Sequence, residues 1–115
     1  MQEDHRLQIQ DLQAAMQEAD KLDNASNAVV HLVETGKLDE AERAARDLLV
    51  RYPEVHDGHE RLGMVYEARG QHREAANCYR RVMDFIHANP EAHDPAIEAH
   101  FLRLIAELDP PAGEG

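Results

Sequence analysis

Tryptophan is absent, aromatic residues make up 4% of the 115 positions, and Cys78 is the only cysteine. One cysteine excludes an internal disulfide framework and any CxxC redox or zinc motif. No apolar run approaches the ~18 residues of a membrane span, and Met1 leads into Gln-Glu-Asp-His rather than a signal peptide, so a soluble cytoplasmic protein is expected. Basic side chains are scarce: 12 Lys and Arg stand against 23 Asp and Glu, a formal charge of −11. Such a chain repels phosphate backbones and is not expected to bind nucleic acid. β-Branched residues are sparse outside Val29, Val30 and Val33, and no stretch alternates apolar with polar, so nothing reads as a strand. What remains is enough for one compact domain and too little for two.

The charge is unevenly placed. Residues 1–36 carry −5, residues 37–81 carry nine charges of each sign, and residues 82–115 carry −6. Acidic ends on a balanced middle suit a small stack whose outer elements stay wet.

Helical spacing runs throughout. Ile9, Leu12, Met16 and Ala19 recur at steps of three and four, predicting a helix over about residues 3–21. Asp23 or Asn24 can cap a following helix that carries Ala25, Val29, Leu32 and Val33 and stops at Gly36, although a continuous helix through residues 22–24 fits as well. Further helices are expected over about residues 38–52, ended by Pro53, over 55–69, ended by Gly70, and over 71–87, broken by Asn89-Pro90. Asp94-Pro95 pairs a cap with a proline at the first helical position and opens a last helix over 95–108, with Ile97, Phe101, Leu104, Ile105 and Leu108 on one face. Residues 110–115 read as a disordered tail.

Self-comparison at an offset of 34 residues aligns Gly36 with Gly70, Glu40 with Glu74, Ala41 with Ala75, Arg46 with Arg80 and Leu48 with Val82. Two helices per 34 residues resembles the tetratricopeptide repeat family. In the second copy Leu62-Gly63, Tyr66, Gly70, Ala75 and Tyr79 fall at that family's spacing. Gly63 and Ala75 are small where two helices cross, Tyr66 and Tyr79 fill space between units, and Gly70 ends a helix where the chain reverses. The first copy is weaker. Val29 replaces the small Gly63, Leu32 the tyrosine and Ala45 the aromatic, while Gly36, Ala41 and Pro53 are kept.

The expected fold is therefore all-α, a single domain over residues 1–109. Two tetratricopeptide-like hairpins in a right-handed superhelix (about 22–55 and 56–89) would be flanked by capping helices at 3–21 and 95–108, since two repeats alone bury too little.

The resemblance implies a concave groove lined by the first helix of each unit. Asp23, Ser26, Asn27, Val30 and Glu34 would face it from the first unit, and Asp57, Glu60, Arg61, Met64 and Glu67 from the second. The Lys and Asn clamp with which this family holds a terminal carboxylate is missing, because Ser26, Val30, Glu60 and Met64 stand at its positions. An acidic groove floored by Val30 and Met64 favours a basic, partly apolar segment of a protein partner. The alternative is a homo-oligomer assembled through residues 3–20, whose 3-4-3 spacing is that of a short coiled-coil seam. Packing of that stripe on its own domain is the expected outcome.

Eight histidines invite a metal or pH-switch reading, with His56 and His59 three apart and His93 and His100 two turns apart. No HExxH motif or cysteine pair completes a zinc set, so no metal and no cofactor are expected. Cys78, four residues after Glu74, reads as a buried packing thiol rather than a nucleophile. Nucleophile-elbow, phosphate-loop and dinucleotide fingerprints are all missing, and no catalysis is expected.

Overall fold

The computed structural model describes residues 2–112, with side chains described from residue 9 onward. It contains five α-helices: α1 (Gln2–Glu34), α2 (Leu38–Arg51), α3 (Asp57–Ala68), α4 (His72–Ala88) and α5 (Pro95–Leu108). A single 3-10 turn, Pro90–Ala92, joins α4 to α5. No strand occurs among the described residues. No described helix is long and apolar enough to cross a membrane.

Each helix packs on the next, and α1 packs on α3 as well. The two sharp reversals are built alike. Gly36 and Gly70 stand at φ +77° and +76°, the left-handed region that favours glycine. Lys37 N–H donates to Leu32 O (2.9 Å) and Gly36 N–H to Val33 O (3.1 Å). Thirty-four residues on, Gln71 N–H donates to Tyr66 O (2.9 Å) and Gly70 N–H to Glu67 O (3.0 Å). Both sets are the paired bonds that satisfy the orphan carbonyls of a helix C-terminus. Ala41 and Ala75, five residues past each glycine, are both fully buried. Arg46 and Arg80 also correspond: Arg46 donates to Tyr66 OH on α3 (2.9 Å), and Arg80 to Asp109 at the end of α5 (2.9 Å). Being exposed, these ties orient neighbouring helices more than they stabilise them.

The core forms two connected clusters. One gathers Val29, Ala41, Ala45, Leu48, Leu62, Val65 and Cys78, and the other Ala75, Tyr79, Val82, Met83, Ile86 and Phe101, with Tyr66 packed against both. The volume at corresponding positions is exchanged between the two copies. The first has Val29 with Ala45, and the second has Gly63 with Tyr79, whose ring lies so close that a Cβ on Gly63 would sit 2.6 Å from Tyr79 Cε1. Gly58 marks a second close approach, since a Cβ there would meet the Leu49 backbone nitrogen at 2.9 Å.

At the C-terminal end the last helix takes the expected bounds. Asp94 Oδ1 accepts from Ala96 N–H (2.9 Å) and Pro95 opens α5. Phe101 is buried, and Leu104, Ile105 and Leu108 pack beside it on the second cluster.

The N-terminal end decides one point that the sequence left open and departs from expectation in another. The helix expected over residues 3–21 is not a separate element, because α1 runs unbroken from Gln2 to Glu34. No Gly or Pro interrupts it, and Asp23 and Asn24 cost a helix interior only tenths of a kcal/mol each, too little to force a break. Nor does its apolar stripe pack on the domain as a cap. Residues 9–21 are all exposed, and among the described side chains of α1 the first in contact with the core is Leu22. A helix of 33 residues spans about 50 Å, whereas the 14-residue α2 beside it spans about 21 Å, so the domain ends before the helix does. The Cα radius of gyration is accordingly 17.3 Å, against roughly 13 Å for a compact chain of this length.

Smaller differences concern bounds. α3 starts at Asp57 rather than Val55, and α2 stops at Arg51, one residue short of Tyr52. Of the expected tail, residues 110–112 follow α5 without regular structure, and residues 113–115 lie outside the described residues.

Candidate functional site

The space between alternate helices differs at the two ends of the stack. Between α1 and α3 it is closed: Arg61 reaches across from α3 and its Nε donates to the buried Ser26 Oγ at 2.8 Å, while its Nη1 lies 3.2 Å from Met64 Sδ. The groove expected there is thus spanned by one of its own residues. Met64 and Val30 are half-buried, and Asn27 and Glu34 are exposed on the α1 side. Glu67, expected to face a ligand, instead accepts from Tyr79 OH at 2.6 Å. That bond and, above all, burial push the Tyr79 phenol well above its ordinary range.

Among the described residues no Cα of α3 comes within 8 Å of one of α5, and a cavity of about 340 Å³ opens over α4. Two features set α5 apart: α4 has 17 residues against 14 in α2, and the 3-10 turn follows it before α5 begins. Val82, Ile86 and Phe101 make an apolar floor, with Ala96 and Ile97 along the α5 side. The rim is polar, formed by Glu60 and by the imidazoles of His56, His93 and His100. His56 and His93 close one end with ring centroids 5.8 Å apart, and His100 meets Phe101 edge-on at 5.3 Å. Asp57 borders a shallower hollow next to it, with Val55 and Phe85.

The electrostatics of the rim centre on Glu60. Its Oε2 lies 3.3 Å from His56 Nδ1, and its Oε1 3.9 Å from Arg61 Nη1. His56 Nδ1 is buried without a well-aligned hydrogen-bond partner, and the nearest acceptor is the Glu60 carboxylate, whose charge favours the imidazolium. The His56 pKa is raised for that reason, against some opposition from burial, and Glu60 is held below its usual range first by His56 and then by Arg61. His59, which packs near Phe85, moves the other way because burial disfavours its charged form and Arg81 adds to the effect.

A pH dependence follows. The raised His56 contributes stability that is fully present below its ordinary 6.5 and is lost as pH rises through the folded value. The lowered Glu60 contributes stability present above its ordinary 4.5 and lost as pH falls through its folded value. The pair is therefore worth most between those limits. In a double-mutant cycle of His56→Gln and Glu60→Gln by urea unfolding, the coupling is expected to be larger at about pH 5.5 than at about pH 8.5. Equal coupling at both would show that the contact is not ionic.

Among the described residues, no three or more His, Cys, Asp or Glu side chains converge to hold a metal ion. Cys78 is buried, and burial pushes its thiol up to about 11, the opposite of what a nucleophile needs.

Of the ten residues expected to face a groove, then, Glu60 lines the open cavity and Asp57 borders its neighbour, Ser26, Arg61, Met64 and Glu67 are engaged within the fold, Val30 is half-buried, and Asp23, Asn27 and Glu34 are exposed on α1. The expected packing residues Gly36, Ala41, Leu62, Gly63, Tyr66, Gly70, Ala75 and Tyr79 all stand at turns or in the core described above. Sequence reasoning did not place Val82, Ile86, His93, Ile97, His100 and Phe101 together. The available signal was His100 lying beside Phe101 and three residues after Ile97, a polar aromatic on an otherwise apolar helix face. No protein-family model matches this chain, and neither a curated protein nor a solved structure matches it.

Proposed function

We propose that this chain is a non-catalytic interaction module, made of two tetratricopeptide-like hairpins (α1–α2 and α3–α4) with α5 as the C-terminal cap. Its open groove between α3 and α5 receives a segment of a partner protein. The hairpin reading is supported by the 34-residue recurrence of turn geometry at Gly36 and Gly70 and of the buried Ala41 and Ala75.

The groove carries the functional reading. A cavity lies over the buried Val82, Ile86 and Phe101, with the 41% exposed Ile97 on its α5 side and a carboxylate that stays ionised on its rim. A cavity of about 340 Å³ accepts one or two aliphatic side chains, and burying each is worth roughly 1.5–3 kcal/mol. Glu60, together with the −6 charge of residues 82–115, selects a cation next to that anchor. The partner is accordingly a basic, partly apolar segment, in line with the sequence expectation but one groove further along the chain.

Two blocked peptides with alternating Leu and Arg, or Leu and Glu, test this by amide chemical-shift mapping at about pH 7.5. The Leu-Arg peptide is expected to shift residues lining the groove, at least tenfold more tightly than the Leu-Glu peptide. Ile97→Asp, at a position 41% exposed, should abolish the response without unfolding the protein. Shifts confined to α1 and α2, or unaffected by Ile97→Asp, would refute the assignment of this groove.

A further inference from the structure

Three of the eight histidines stand on the rim of one cavity, where seating an apolar anchor gives them no role. His56 precedes α3, His93 lies in the connection between α4 and α5, and His100 is on α5, so the fold gathers them from separate segments. Among the described residues that line the cavity, Glu60 is the only carboxylate, and no Lys or Arg is present. With neutral imidazoles the rim therefore carries −1, and with three imidazoliums it carries +2. Imidazole ordinarily changes charge near pH 6.5, in a range where carboxylates, Lys and Arg keep theirs. The sign of the rim thus reverses while the charge of a basic ligand stays constant.

We propose that the groove between α3 and α5 is gated by pH, holding a basic, partly apolar segment above neutrality and releasing it as the three rim histidines take up protons, a regulation that rests on the groove assignment made above. Glu60 is the pivot. Its Oε2 lies 3.3 Å from His56 Nδ1, so a ligand cation and the His56 imidazolium compete for one carboxylate. Seating the cation expels a proton from His56, and by linkage the affinity rises with pH and is lost as pH falls. His93 and His100 act by repulsion. The His93 ring stands 5.8 Å from that of His56, and His100 adds to the positive field at Glu60 after His56 and Arg61. His93 Nδ1 lies 2.9 Å from the Asn89 carbonyl oxygen, which can only accept, so the incoming proton goes to Nε2 and that bond is kept.

The remaining charges around the rim do not reverse with it. Asp57 and Glu54 line the adjacent hollow with His56 and His93, and Asp57 favours the charged form of His56. Arg61 opposes that form, but its guanidinium is engaged with Ser26. From α4 the cavity receives Val82 and Ile86, while Arg81 and Asp84 act on His59 instead. On α5, Glu98 lies 3.5 Å from His87, outside the cavity lining.

Titration of the full chain with a blocked peptide of alternating Leu and Arg, at about pH 8 and about pH 5.5, tests the gate through the amide shifts of Ile97 and Phe101. Binding is expected to be at least about tenfold tighter at the higher pH. His93→Gln/His100→Gln, at a half-buried and an exposed position, should cut that ratio to about threefold or less, and adding His56→Gln should abolish it. His31→Gln/His72→Gln, at exposed positions that do not line the cavity, should leave the ratio unchanged. Equal binding at both pH values overturns the gate and leaves the groove assignment standing. A ratio that persists in the rim variants also overturns it, because weakening by unfolding or by the charge of the whole chain would persist there too. A peptide that shifts no groove residue at either pH overturns the groove assignment itself, and the gate with it.

Discussion

Gly63→Leu is expected to destabilise the protein by about 3 kcal/mol or more, because the helix crossing has no room for a side chain. Even a single Cβ at this position would lie 2.6 Å from Tyr79 Cε1 and 2.9 Å from its Cζ. The ring cannot easily retreat. Tyr79 is 2% exposed, its hydroxyl is bonded to Glu67, and its ring packs 5.6 Å from that of Phe101. Overpacking typically costs about 1–3 kcal/mol, and for alanine the gain in helix propensity, about 1 kcal/mol, offsets part of it. Leucine brings the larger clash.

The positions 34 residues earlier suggest a rescue. Val29 and Ala45, both fully buried, occupy the places of Gly63 and Tyr79. Tyr79→Ala alone should cost about 3–5 kcal/mol through the cavity it leaves, and Gly63→Val alone should also destabilise. Combined, they restore the valine–alanine arrangement. The double variant should be more stable than the sum of the singles by at least about 1 kcal/mol in urea unfolding. Strict additivity would mean that Gly63 and Tyr79 do not share one packing volume.

The second large effect concerns the last helix. Phe101→Ala is expected to cost about 3–5 kcal/mol, since this ring is the one buried side chain that α5 contributes and it packs with Tyr79, Val82 and Ile86. Leu102→Ala, at a neighbouring position that is 51% exposed, should stay within about 0.5 kcal/mol of the parent. Hydrogen exchange supplies a second readout, with the loss of protection in Phe101→Ala concentrated in α4. Similar losses for the two variants would show that α5 rests on the domain without capping it.

Much of the architecture was legible in residue order because it depends on local chemistry. Gly36 and Gly70 announced the reversals because a left-handed backbone favours glycine, and Asp94-Pro95 announced a helix start because an acceptor and a preset φ are what that terminus needs. Apolar spacing at three and four found Phe101, Leu104, Ile105 and Leu108 on the core face of α5, since a helix returns to the same side every 3.6 residues. The boundary at residues 22–24 was not legible. Asp23 and Asn24 stop a helix where they cap it and sit inside one at slight cost, so nothing local decided between two helices and one.

The sequence by itself determined that the chain is helical, where it turns, and which faces are apolar, for these follow from interactions between residues a few positions apart. Only the tertiary structure decided what covers those faces. The same three-and-four spacing ends buried at Val29 and 65% exposed at Leu12, because α2 runs out before α1 does. Likewise the closed space at Arg61–Ser26 and the open one over Val82 and Ile86 depend on where α5 comes to rest against α4. Burial belongs to the arrangement of helices in space, and a periodic pattern carries only the capacity for it.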